Sequence, residues 1–129
     1  MKQLIEDVTA FHIACDVPIP DTLGCISDDR KQLRISLIEE EVNKELLPAM
    51  HNDDILSIAD GIADSIYVLV GAALEYGIPL LAVYDLVHTA NMAKIDPKTG
   101  KVNKRIDGKI LKPDGWKSPD TDIAILLGV

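Results

Sequence analysis

Residues 66–73 constrain the fold most, because they form an almost uninterrupted run of apolar or small side chains within a longer helical stretch. A helix that is apolar on every side has to be buried. The stripe that carries Asp60 and Asp64 continues into this run. Carboxylates that lead into a buried helix are costly unless they are paired or bind a cation. The sequence therefore predicts a buried central helix with two acids at its start.

A second stretch, residues 37–46, also places acids beside an apolar face. Positions i and i+4 lie about 40° apart on an α-helix, so Glu41 and Glu45 share one stripe, as Asp60 and Asp64 do. Two such helices side by side would bring several carboxylates together, and Mg²⁺ or Mn²⁺ prefers oxygen ligands of this kind. The alternative is that these acids form solvated faces or complement a helix dipole. Spacing alone leaves both interpretations open.

Length and charge limit the classes of protein to consider. With 129 residues we expect a single domain over 1–129, with a helical body over 1–94 and a basic hairpin and tail over 95–129. The net charge of −8 argues against a nucleic-acid partner, because phosphate contacts need clustered Lys and Arg. Two cysteines are too few for a disulfide framework, and acids near the N-terminus do not fit a signal peptide. We therefore expect a cytoplasmic protein with no membrane partner.

Helical spacing and chain breaks predict an all-α fold. Apolar periodicity indicates helices at about 2–15, 28–47, 54–76 and 79–93, with Pro48 ending the second and Gly77 the third. Residues 102–106 and 109–111 read as a small β-hairpin whose turn is Asp107-Gly108. An irregular segment follows over 112–120. The prediction is a four-to-five-helix bundle with a small C-terminal β-hairpin and an irregular tail.

The tail is basic, in contrast to the acidic helical body. Seven of the thirteen basic residues lie between positions 98 and 117. An acidic body with a basic tail would suit a site that brings a metal and a phosphate group together. The alternative is that these lysines keep an exposed hairpin soluble and unpaired. Both remain open, because blocks of charge are weak evidence.

Two segments together resemble a known superfamily. They are residues 34–42, Arg-x-x-Leu-Ile-x-Glu-Glu-Val, and residues 60–68, Asp-Gly-Ile-Ala-Asp-Ser-Ile-Tyr-Val. In this order they resemble the all-α nucleoside triphosphate pyrophosphohydrolases, which include MazG-like proteins and phosphoribosyl-ATP pyrophosphatases. Tyr-Gly-Ile-Pro at 76–79, His-x-x-Asn-Met-x-Lys at 88–94 and the segment 107–120 are similar to a small MazG-like, phosphoribosyl-ATP-pyrophosphatase-like branch. The resemblance spans about residues 30–120.

The resemblance implies hydrolysis of a nucleoside triphosphate between its α and β phosphates, with Mg²⁺ or Mn²⁺ bound by carboxylates. It implies metal ligands at Glu41, Glu45 and Asp64, with Asp60 as a further ligand or a partner of the ligands. Glu40 would be either a ligand or the base that polarises water. Two positions depart from the superfamily pattern, since Lys44 and Gly61 stand where acids are expected. Glu45 and Asp60 lie one residue away.

The resemblance also implies substrate contacts in the C-terminal part and self-association as a homodimer or homotetramer. The expected substrate-binding residues are His88, Asn91, Lys94, Lys112 and Trp116. Trp116 would either stack on a base or anchor the tail to the core. Phosphoribosyl-ATP is an alternative substrate. A non-catalytic nucleotide-binding or regulatory protein is a second alternative, which Lys44 and Gly61 favour.

Overall fold

A computed structural model describes residues 1–129, and the chain divides into two compact units, residues 1–79 and 80–129. Each unit is described by itself below. Helices dominate both, and the small sheet belongs to the second unit. The all-α class with a small C-terminal hairpin is therefore confirmed. The organisation of the chain as one domain stays a prediction.

The first unit contains the segments that carry the acids. Its elements are α1 (Lys2–Ala14), α2 (Asp28–Ile38), a π-helix (Glu39–Leu46), α3 (Leu47–His51) and α4 (Ile55–Glu75). Side-chain caps explain where two of these helices begin. The Ser27 hydroxyl accepts a hydrogen bond from the Arg30 N–H at 3.3 Å, and the Asp54 carboxylate accepts one from the Ser57 N–H at 3.2 Å.

The predicted second helix is found at the expected place, but two details of the prediction are wrong. Residues 39–46 form a π-helix instead of an α-helix, and the chain stays helical beyond Pro48 as far as His51. Pro48 lies just after the π-helix within this continuous helical run, so its ring removes one backbone N–H donor from the run. At the end of the π-helix, the Leu47 N–H donates to the carbonyl of Val42, five residues earlier.

Helix α4 is buried along one side only, so the expectation that residues 66–73 are buried all round is wrong. Val70, Gly71 and Ala73 are buried, whereas Ile66 and Leu69 are 39% and 50% exposed. The physical reason is that α1, α2, α3 and the π-helix contact α4 but leave Ile62, Ile66 and Leu69 exposed. By length and apolar content alone α4 could also cross a membrane, but core helices of soluble proteins meet the same criterion.

The apolar core of the chain is small. Its buried hydrophobic residues are Val8, Ala49, Val70 and Ala73, and no large side chain is completely buried. Buried polar or charged residues are equally numerous, at His12, Arg34, Ser65 and Glu75. Packing in the first unit therefore depends on buried polar contacts as well as on apolar area.

The second unit combines two helices with a three-stranded antiparallel sheet. Its elements are α5 (Leu80–Met92), β1 (Ile95–Asp96), β2 (Lys101–Lys104), β3 (Ile110–Leu111) and α6 (Asp120–Leu127). The predicted hairpin is present as β2 and β3, with Gly108 at φ 89° in its turn. Strand β1, which pairs with β2, and helix α6 were not predicted. Both are short, so periodicity gives little signal for them.

Candidate metal centre and substrate-binding residues

Three carboxylates of the first unit converge. Glu41 and Glu45 come from the π-helix and Asp64 comes from α4, and one oxygen of each lies within 4.8 Å of the others. The sequence had placed these residues on neighbouring helices, and the structure brings them together. Glu45 is exposed, whereas Glu41 and Asp64 are half-buried. The cluster therefore lies at the edge of the contact between the π-helix and α4, where a ligand can reach it.

The electrostatics of this cluster fit a bound cation. The Oε2 atom of Glu41 is buried and has no hydrogen-bond partner. Burial raises the pKa of Glu41, and the negative charges of Glu45 and Asp64 raise it further. A buried carboxylate oxygen among like charges is unfavourable when it is ionised. A divalent cation that prefers oxygen ligands would remove this cost, so the side chains present fit a metal such as Mg²⁺ or Mn²⁺.

Asp60 and Glu40 lie outside the three-carboxylate cluster. Asp60 lines a neighbouring cavity of about 320 Å³ together with Glu45, Asn52 and Ser57. Glu40 is exposed, and its negative charge contributes to the raised pKa of Glu41. The role of Asp60 as a ligand and that of Glu40 as a ligand or base stay predictions.

Gly61 has a packing reason to be glycine. A Cβ atom at this position would lie 3.2 Å from both the Cα and the Cβ of Leu46. Because part of that contact is backbone, even a small side chain would push the π-helix away from α4. An acid at position 61 therefore does not fit this close approach of the two helices.

In the second unit, three of the predicted substrate-binding residues meet at the indole of Trp116. The Lys94 and Lys112 ammonium groups lie 5.1 Å and 4.7 Å from its ring centroid. The indole N–H donates to the Ala90 carbonyl at 2.7 Å. This bond supports the interpretation that Trp116 anchors the tail, because it ties the segment after the sheet to α5.

Asn91 joins this group, but His88 does not. The amide oxygen of Asn91 accepts a hydrogen bond from Lys94 Nζ at 3.0 Å. The ring of His88 stacks on that of Tyr84, with 6.2 Å between centroids and 5° between planes. A cavity of about 390 Å³ lies beside Trp116, between α5 and residues 113–119. His88 does not line this cavity.

Sequence reasoning missed a buried ionic cluster that fixes α2 against α4. Glu75 is 3% exposed, and its two carboxylate oxygens lie 2.6 Å from the Nε atoms of Arg30 and Arg34. His12 of α1 is buried beside them, and burial and then Arg34 lower its pKa. Gly71 makes room for the cluster, since a Cβ there would lie 2.9 Å from His12 Nε2. The available signal was a lone acid at the end of an apolar helix and two arginines four residues apart.

Comparison with protein families assigns the chain to a group that fits this geometry. The family model described as phosphoribosyl-ATP pyrophosphohydrolase matches residues 22–91, more than half of the chain. The matched region contains all three clustered carboxylates but ends before Lys94, Lys112 and Trp116. A comparison with curated proteins found no match.

Members of the matched family are generally dependent on a divalent metal, and the carboxylate cluster is a site that could hold one. The carboxylate cluster and the family match both indicate a divalent-metal site. The chain therefore belongs to the phosphoribosyl-ATP pyrophosphohydrolase family of the MazG-like superfamily, and it is a hydrolase that acts on phosphoric anhydrides.

Proposed function

We propose that this protein is a Mg²⁺- or Mn²⁺-dependent pyrophosphohydrolase that cleaves the bond between the α and β phosphates of a nucleoside triphosphate. The products would be a nucleoside monophosphate and pyrophosphate. The observation that carries the proposal is the convergence of Glu41, Glu45 and Asp64 within 4.8 Å, in a chain whose family acts on phosphoric anhydrides.

Each acid has a proposed role. Glu41, Glu45 and Asp64 hold the metal, which when bound supplies charge neutralisation for phosphate oxygens and a more acidic water. Asp60 orients Glu45 or adds an oxygen from the neighbouring cavity that both residues line. Glu40 is exposed next to the cluster, so its carboxylate is free to accept a proton from the attacking water.

Within the second unit, Lys94 and Lys112 are the proposed phosphate-binding residues. The Lys94 and Lys112 ammonium groups are held near one aromatic ring, and Asn91 positions Lys94 through a hydrogen bond. Two positive charges beside the same ring suit the oxygens of a polyphosphate. The anchored indole of Trp116 supports the loop that carries Lys112. We therefore propose an anchoring role for Trp116 in preference to stacking on a base. His88 stays a weaker candidate, because its ring stacks on Tyr84.

Two substrate classes fit this chemistry. A free nucleoside triphosphate and phosphoribosyl-ATP both present an α–β anhydride to the same carboxylates. The description of the matched family favours phosphoribosyl-ATP. Both therefore belong in the first substrate panel.

Self-association is part of the proposal. Ile62, Ile66 and Leu69 follow one another at helical spacing on α4 and are 46%, 39% and 50% exposed. Leu4 and Tyr67 help to line an adjacent apolar cavity of about 230 Å³. A contiguous apolar face on a chain with so small a core indicates an interface, and we propose that a second copy of this chain covers it. Light scattering after size exclusion would give the mass and separate dimer from tetramer.

We further propose a cytoplasmic location, which fits the two free, exposed cysteines Cys15 and Cys25. Fractionation of cells that express the protein would test this.

The experiment that tests the activity is pyrophosphate release from a panel of nucleoside triphosphates and phosphoribosyl-ATP, with Mg²⁺, Mn²⁺ or EDTA. The variants are Glu41→Gln and Asp64→Asn, and the matched control is Glu39→Gln, an exposed acid on the same π-helix. We expect metal-dependent release that both site variants lose and the control retains. Folded protein that binds nucleotide but releases no pyrophosphate from any substrate would refute catalysis and support the non-catalytic alternative.

A further inference from the structure

The π-helix lies at the point where the candidate metal ligands are presented. A helix that forms i→i+5 bonds has roughly one more residue per turn than an α-helix, and such segments are frequent at functional sites. In this chain it spans Glu39–Leu46, which includes two of the three clustered acids.

Residues before and after the π-helix in the chain contact α4. Upstream, Arg30 and Arg34 reach Glu75, and Arg34 also lies against Gly71. Downstream, the backbone of Leu46 packs on Gly61. We call this line of contact along α4 the seam. The residues at four-residue steps from Arg30 to Leu46, including Ile38 and Val42, are all at least partly buried.

A continuous α-helix could not keep these residues in the seam. Each four-residue step turns an α-helix by about 40° beyond a full turn, so the four steps from Arg30 to Leu46 would add up to about 160°. In a π-turn the same step falls roughly 30° short of a full turn. Two α-steps followed by two π-steps therefore return Leu46 to within about 20° of Arg30. The π-helix corrects the drift, and Leu46 can meet Gly61.

The same correction determines where the acids point. In a continuous α-helix Glu41 and Glu45 would lie seven and eleven residues after Arg34, each within about 20° of it and therefore in the seam. Lys44 would then lie at the edge of the seam. With the π-helix, Glu45 lies roughly 90° around the helix from Arg34, which is the edge of the seam. Lys44 then lies on the side of the helix roughly opposite the seam. The observed positions agree, since Glu45 joins Asp64 and both Glu45 and Lys44 are exposed.

Pro48 gives a local reason for the wider turn. In an α-helix its ring would clash with the carbonyl of Lys44, four residues earlier. A turn with one more residue moves that carbonyl away. The proline and the contact between Leu46 and Gly61 therefore both favour the π-helix over an α-helix.

We infer that the π-helix Glu39–Leu46 places Glu45, and not Lys44, as the third carboxylate beside Glu41 and Asp64 at the metal centre. The inference rests on the proposed metal-dependent function. It states that the metal-binding register of this chain follows the π-helix and differs by one residue from the α-helical register.

Exchanging the two neighbouring side chains tests this register. The variant Lys44→Glu/Glu45→Lys keeps composition and net charge and alters two exposed residues. The readout is the rise in melting temperature caused by Mn²⁺ relative to EDTA, which follows from preferential binding to the folded state. We expect both the exchange variant and Glu45→Gln to lose that rise. The single variant Lys44→Glu, which keeps Glu45, should retain the wild-type rise without increasing it.

The opposite result would overturn the inference. In the α-helical register position 44 lies at the edge, so the exchange variant would keep or increase the Mn²⁺ effect and Lys44→Glu would increase it. A second measurement needs no metal. In the metal-free protein, scalar coupling across hydrogen bonds should join the Leu47 N–H to the carbonyl of Val42. Coupling to the carbonyl of Asn43 instead would refute the π-register.

The two measurements separate this inference from the proposed function. If wild-type protein shows no melting shift with Mn²⁺ or Mg²⁺, the metal centre fails as proposed, whatever the register. The coupling experiment then decides the register alone. If the metal shift is present and the exchange variant retains it, the metal centre stands and the register inference falls.

Discussion

Removing the carboxylate of Glu75 should destabilise the first unit strongly. The side chain is 3% exposed and contacts two arginines, of which Arg34 is 10% exposed and Arg30 is 33% exposed. Glu75→Ala would leave both guanidinium groups without their acid, next to the buried ring of His12. Breaking a buried ion pair from one side costs about 3–5 kcal/mol. The exposure of Arg30 lets water compensate part of the loss, so we expect the lower end of that range.

The assay is thermal unfolding followed by far-UV circular dichroism in EDTA. For a chain of this length, about 1 kcal/mol corresponds to a shift of roughly 3–5 °C, so Glu75→Ala should melt about 10 °C lower. Glu75→Gln keeps a hydrogen-bond acceptor and should lose less. The control is Glu6→Ala, which removes an exposed acid 3.9 Å from Lys2 and should change nothing measurable. A shift below about 3 °C for Glu75→Ala would refute the view that this cluster holds α2 to α4.

Three further predictions concern Glu41, Gly71 and Trp116. The pKa of Glu41 is raised, so its contribution to folding stability is fully present below its ordinary pKa and is lost as pH rises through the raised value. Metal-free Glu41→Gln should therefore melt at a higher temperature than wild type at neutral pH. At acidic pH the two melting temperatures should match. Gly71→Ala should lower the melting temperature, because its Cβ would meet Arg34 and His12; an unchanged value would show that both side chains move freely. Trp116→Phe removes the hydrogen bond to the Ala90 carbonyl and should lower the stability of the second unit by about 1 kcal/mol. The loss should appear as faster amide hydrogen exchange in α5. Unchanged exchange would rule out the anchoring role of Trp116.

Sequence periodicity predicted the longer α-helices but not α6, and the family resemblance, more than spacing, selected the three acids that meet. Helices α1, α4 and α5 begin and end within one or two residues of the predicted positions, because Pro, Gly and capping residues mark their ends. The pairing of Glu41 with Glu45 was also predicted correctly, although on the assumption of an α-helix. Positions i and i+4 lie close together on both kinds of helix, so this pairing did not depend on the type.

Sequence periodicity could not predict the π-helix or the buried ionic cluster. The type of helix over 39–46 depends on contacts with α4, above all the approach of Leu46 to Gly61, which only tertiary structure reveals. The sequence gives no sign of the partners of Glu75, because Arg30 and Arg34 lie more than forty residues earlier in the chain. The extent of α4 burial was overestimated, because apolar composition does not show whether the chain itself or a second copy covers a face.

The wider turn over 39–46 affects how this chain should be aligned with others. A fixed-spacing search that assumes a regular α-helix aligns Lys44 with an acid and scores the position as a loss. An alignment that allows one additional residue between Glu41 and Leu46 instead places Glu45, which joins Glu41 and Asp64 in this structure, at the position of that acid. Homologues with this additional residue and a glycine at the position of Gly61 should therefore be grouped by structure before any is classified as inactive.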